Sequence, residues 1–122
     1  MAIRFGLLNK RAEIGLKGPT EHTEQSALCK WLDREDIFYF AIPNGGRRDP
    51  ITARMLKREG VKPGAPDLFF PGFKLFIEMK DRHRGKPSPA QIKMMNRLRD
   101  AGYRCEVCEG AKEAHKIIKK FI

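Results

Sequence analysis

The stretch from Pro66-Asp67 to Glu78-Met79-Lys80 limits this chain most, because two carboxylates and a lysine bracket the apolar run Leu68 to Ile77. Leu68-Phe69-Phe70 and Phe73 to Ile77 are aromatic and aliphatic and flank Pro71-Gly72, which predicts two short strands joined by a tight turn. Side chains alternate along a strand. Leu68, Phe70, Leu75, Ile77 and Met79 therefore fall on one face, and Asp67, Phe69, Phe76, Glu78 and Lys80 on the other. The first face is pure core. On the second, Glu78 and Lys80 are neighbours, and the fold-back brings Asp67 beside them near the open end. Burying charge there is costly unless something compensates it, and a divalent cation would. A blander reading makes Asp67 and Lys80 an ion pair at the hairpin end and leaves Glu78 solvated.

Size and charge narrow the class. At 122 residues and 41% hydrophobic, the chain fits one compact domain. No apolar run approaches the roughly 18 residues of a membrane span. The opening Met1-Ala2-Ile3-Arg4-Phe5 lacks the long apolar stretch of a secretory signal, so a cytoplasmic protein is expected. Three cysteines in such a chain argue against a disulfide framework. Lys and Arg number 25 against 15 acids, a net charge of +10, which favours a polyanionic partner, nucleic acid first. The excess is clustered: six basic residues lie between Arg47 and Lys62 and four between Lys80 and Lys86. Both clusters flank the hairpin acids, as a phosphate-binding cleft would require; basic loops kept for solubility are the alternative.

Along the chain, residues 1–19 mix Gly6, Gly15, Gly18 and Pro19 with short apolar pieces and read as an N-terminal arm, leaving 20–122 as a single domain. Ala27, Leu28, Trp31 and Leu32 sit at helical spacing within Thr20 to Arg34. Ile37 to Ile42 predicts a buried strand ended by Pro43-Asn44-Gly45-Gly46. Ile51 to Glu59 predicts a helix with Ala53 or Met55 and Leu56 inward, stopped by Gly60. Ser88-Pro89-Ala90-Gln91 has the form of a capping box, opening a helix that runs to about Ala101. A short strand over Tyr103 to Cys108 and a helix over Ala111 to Phe121 complete the order. Helix, strand, short helix, hairpin, helix, strand, helix predicts an α/β fold, a small mixed β-sheet flanked by helices.

Taken together, Glu21-His22-x-x-Gln25, Pro43-Asn44-Gly45-Gly46 with Arg47, Gly60-Val61-x-x-Gly64-x-Pro66-Asp67-Leu68, Ile77-Glu78-Met79-Lys80 and Ser88-x-x-Gln91 resemble the virus-type replication-repair nuclease domain, VRR-NUC. That domain is a branch of the PD-(D/E)xK nuclease superfamily, and the resemblance covers roughly residues 20–122. It implies a restriction-endonuclease-like core in which Asp67 and Glu78 hold Mg²⁺ or Mn²⁺ and Lys80 helps position the attacking water. It also carries Glu21 over as the first-helix acid, since Glu21 precedes Gln25 by four positions. Small stand-alone members look like homodimeric junction-resolving enzymes, so the resemblance implies branched DNA as substrate and a homodimer.

Local chemistry runs beside that resemblance. A hard divalent cation takes oxygen ligands, and Mg²⁺ is typically held by one or two carboxylates; the Met79 backbone carbonyl offers a third oxygen next to Asp67 and Glu78. Glu24 rivals Glu21, because it lies in the stripe of Ala27, Leu28 and Trp31 where an acid is hardest to leave unpaired. Either glutamate also suits a helix N-terminus through the helix dipole. Gln91 has both a catalytic and a capping role open to it. Asn44, Gly45, Gly46 and Arg47 suit a loop approaching phosphate, with an ordinary turn as the alternative. Lys62, Arg82, Arg84 and Lys86 are further DNA-contact candidates. Cys105 and Cys108 invite a zinc reading, but only Cys29 remains as a further thiol and strand alternation turns the pair to opposite sides. His22, His83 and His115 read as surface or supporting residues, and Trp31 as core. The expected function is a metal-dependent endonuclease acting on branched DNA, the rival being a basic DNA-binding module without chemistry.

Overall fold

The computed structural model describes residues 21–43, 49–80 and 86–122. The N-terminal arm, Thr20, the Asn44 to Arg47 loop, and Arg82, His83 and Arg84 lie outside the described residues.

Helix α1 (Glu21–Arg34) buries Leu28, Trp31 and Leu32 completely or nearly so, with Ala27 and Cys29 packed alongside. The expected strand over 37–42 contracts to β1 (Phe40–Ala41), and both of its residues are exposed. The cause is local competition. Ile37 N–H donates to the Leu32 carbonyl at 3.0 Å and the Tyr39 hydroxyl donates to Asp33 Oδ1 at 2.7 Å, so this segment is tied to the end of α1 before it can pair as sheet.

Helix α2 (Pro50–Arg58) starts at Asp49, whose carboxylate accepts from the Ile51 and Thr52 N–H groups. That bonding holds the Asp49 carboxyl below the usual range, Thr52 being the main cause. Its inward face is not as predicted. Ala53 and Met55 are exposed and Leu56 is only half-buried, because α2 lies on the surface, off the core cluster.

Strand β2 (Leu68–Phe70) and strand β3 (Leu75–Lys80) form the predicted hairpin. The connection differs: Pro71–Phe73 makes a turn of 3₁₀ helix, Lys74 is left-handed at φ 51°, and β3 begins at Leu75 instead of Phe73. Phe73 turns aside to stack between Phe70 and Phe121, at centroid distances of 6.1 and 5.2 Å. Ser88 and Gln91 then form the capping box of α3 (Pro89–Asp100). Strand β4 (Arg104–Glu109), helix α4 (Ala111–Ile118) and a 3₁₀ turn at Lys119–Phe121 complete the described chain.

The sheet order is β1-β2-β3-β4, with β1·β2 and β2·β3 antiparallel and β3·β4 parallel. A parallel pair requires a crossover, and α3 supplies it. Leu68, Phe70, Leu75, Ile77, Met79 and Cys108 pack with Leu28, Trp31 and Leu32 of α1 and Ala114 and Ile118 of α4. Each fully buried aliphatic side chain in such a cluster contributes about 1.5–3 kcal/mol. Helix α3 stands outside that cluster and takes the other face, joined to β4 by Arg99 Nη2 donating to the Cys105 carbonyl at 2.8 Å. That face carries the ring row Phe40, Phe69, Phe76 and Tyr103, with Phe69 and Phe76 stacked at 4.3 Å. The fold is thus α/β, a four-stranded mixed sheet between helices. Among the described residues no helix is long and apolar enough to cross a membrane.

Candidate active site

The site grows from the hairpin register. Leu68 pairs with Ile77, so one further step sets Asp67 opposite Glu78. Antiparallel partners present their side chains to the same face. Glu78 is only 2% exposed, which removes the alternative in which it is a solvated bystander. Lys80, two residues on, is half-buried beside Glu109 of β4. Asp67 is held from two directions. Its carbonyl accepts from Ile42 N–H at 2.8 Å, and its Oδ2 accepts from Met79 N–H at 2.7 Å. The carboxylate thereby continues the ladder past the end of β2. Within a strand a residue's N–H and C=O point to the same side, so the Met79 carbonyl also turns toward Asp67.

The other candidates are distributed around this pair. Glu21 opens α1; its side chain lies outside the described part. Glu24 is 1% exposed, and its Oε2 accepts from the N–H of Ala111, the first residue of α4. Gly110 caps that helix without a side chain, so Glu24 supplies the missing acceptor from across the molecule. The signals for this were an acid inside an apolar stripe and a glycine at a helix start, but nothing in the order of residues joins them. Gln91 Oε1 accepts from Ser88 N–H at 2.8 Å, and Gln91 N–H donates to Ser88 Oγ at 3.2 Å, so its carbonyl oxygen serves the cap. Lys62 and Lys86 are exposed.

The cysteines and His115 are interior groups. Cys29, Cys105 and Cys108 are free thiols, and burial, reinforced by Glu113 and Glu106, pushes Cys108 up to about 12. No group of three or more His, Cys, Asp or Glu suited to a metal occurs among the described residues; a two-carboxylate oxygen site falls below that number and matches the modest protein ligation of Mg²⁺. His115 is not a surface residue: its ring lies 3.9 Å from that of Trp31, and burial, with Lys119 nearby, lowers its pKa.

No protein-family model matches the sequence, and no curated protein does. Among solved structures, one described as a VRR_NUC domain protein is similar with a TM-score of 0.75 and 28% identity, over 88% of this chain and 91% of that one. The chain has the fold of a VRR-NUC domain. The nuclease-family assignment thus has two supports, the ordered sequence motifs and the arrangement of the backbone. In this VRR-NUC-like fold the motif acids fall at one end of the sheet, where β2 stops and β3 continues.

Proposed function

We propose that this VRR-NUC-like domain is a Mg²⁺- or Mn²⁺-dependent endonuclease hydrolysing phosphodiester bonds in DNA. The observation that carries the reading is the buried Glu78 opposite Asp67, with Asp67 clamped to the Met79 backbone. A buried carboxylate opposite a half-buried one favours a compensating cation. The remaining Asp67 oxygen, Glu78 and the Met79 carbonyl would hold it. When bound, the cation supplies Lewis acidity at the scissile phosphate. Lys80, on the same face as Glu78, orients the attacking water and donates to the charge developing on the phosphate oxygens.

Glu21 remains the first-helix acid of choice, since Glu24 is engaged at Ala111. Gln91 holds its loop through the cap and leaves its amide NH₂ to meet substrate. Asn44, Gly45, Gly46, Arg47, Lys62, Arg82, Arg84 and Lys86 contact the DNA backbone. Branched DNA as substrate and a homodimer as the working form are carried over by analogy from the family resemblance. The exposed Ile51 and Met55, one turn apart on α2, suit a second copy. The three free thiols fit a reducing cytoplasm.

The test is cleavage of labelled flap, fork, four-way and linear DNA with Mg²⁺ or Mn²⁺. Cutting lost in EDTA and in Glu78→Gln, with DNA binding retained, is the expected result. Cutting that survives EDTA overturns the metal-dependent reading. Linear duplex cut as readily as a four-way junction by a monomer overturns the branched-DNA and homodimer parts.

A further inference from the structure

Away from the carboxylate pair, the charged residues described around one groove are all positive. Lys62 and Pro63, in the loop leading to Asp67, face Ala90, Lys93, Met94 and Arg97 of α3 across a cavity of about 160 Å³. Lys93 and Arg97 are four residues apart and share one side of the helix. All three cations are exposed, and Met94 is half-buried between them. Gly64 sets the width. It adopts φ +81°, and a Cβ there would lie 2.4 Å from the Ala90 carbonyl oxygen and 2.8 Å from Gln91 N. The loop backbone therefore rests directly on the first turn of α3, and Lys62 is carried against a helix that is distant in sequence.

Scattered surface cations are dispersed by mutual repulsion, whereas these three converge on one concavity with no acid among its described lining residues. Such a set is complementary to a polyanion. The chain also fixes how near it is to the chemistry. Lys62 and Asp67 are five positions apart, and at about 3.3–3.6 Å per residue their Cα atoms are at most ~18 Å apart. At about 3.4 Å per nucleotide along one strand, that is roughly five base pairs.

We propose that Lys62, Lys93 and Arg97 form a backbone-phosphate subsite of the DNA substrate, holding a phosphate within about five base pairs of the one cleaved. Met94 gives the sugar an apolar floor. The subsite rests on the nuclease reading for the identity of its polyanion, but its test does not depend on cutting.

Binding of the full chain to labelled duplex DNA is measured in EDTA over a range of NaCl concentrations. Lys62→Gln, Lys93→Gln and Arg97→Gln are compared with Lys74→Asn, which removes one charge at the opposite end of the hairpin and keeps a residue tolerant of the left-handed conformation. Each groove variant is expected to reduce the slope of log K against log salt by about 0.9, while Lys74→Asn leaves it unchanged. In cleavage assays the groove variants raise KM and leave kcat near that of the parent. Groove slopes equal to the parent's, with melting curves showing folded protein, overturn the proposal. If the slopes fall but no substrate is cut with Mg²⁺, the subsite stands and the endonuclease reading fails; if DNA is cut but the slopes do not move, the reverse holds.

Discussion

In the proposed mechanism Asp67 has two jobs, one for each oxygen, and substitutions can separate them. Asp67→Ala leaves the Met79 N–H without its acceptor and should lower stability by about 1–3 kcal/mol. Asp67→Asn keeps an acceptor and should cost clearly less. Cleavage should fall by at least ~10²-fold in both, a size typical for losing a group that stabilises the transition state. Denaturant melts and single-turnover rates check the pair, and equal stability of the two variants would remove the structural role. Glu24 gives the contrasting case. Glu24→Ala should destabilise by roughly 1.5–3 kcal/mol, as expected when a charged hydrogen-bond partner is lost, with the loss seen in α4 by hydrogen exchange at Ala111. The hairpin faces were legible in the sequence because strand alternation has a period of two, and all five residues assigned to its core face are fully buried. The Glu24 bond was not, since no local pattern encodes an acceptor delivered from another helix.

At the level of elements, the caps were the most readable features. Ser88-Pro89-Ala90-Gln91 forms the reciprocal box expected of it, and Ser88→Ala should cost about 1 kcal/mol, measured as a lower melting temperature. Gly64→Ala should be worse than a cap loss, because the left-handed backbone and the Ala90 carbonyl both oppose a side chain there. The expected outcome is a displaced loop with weaker DNA binding, visible as amide shifts at Ala90 and Gln91. Two elements were misread for physical reasons. Pro71 suits the start of a 3₁₀ turn as well as a tight turn, and the left-handed Lys74 carries no glycine signal. The apolar residues of α2 mimic a core face, yet Ile51 and Met55 point to solvent, because periodicity reports amphipathic character and not what covers it.

For the molecule as a whole, pH and salt act through different groups. Burial first, and then Lys119, hold the His115 imidazole below its ordinary value, with Glu35 pulling the other way. A depressed histidine contributes stability that is fully present above its unfolded pKa of about 6.5 and is lost as pH falls through the folded value. The melting temperature should therefore drop on acidification below about 6.5, and His115→Phe should flatten that part of the profile. Trp31 fluorescence offers a direct readout, since the two rings are in contact. Overall DNA affinity should weaken steeply with salt, as the net charge of +10 requires.

The bond from Glu24 to Ala111 spans 87 positions, while Asp67 and Met79 are only 12 apart. Contacts that close long loops form late. A growing chain can therefore assemble its two opposed carboxylates from one local hairpin well before α4 exists. The clasp between α1 and α4 should then close after the hairpin has set its acids in register.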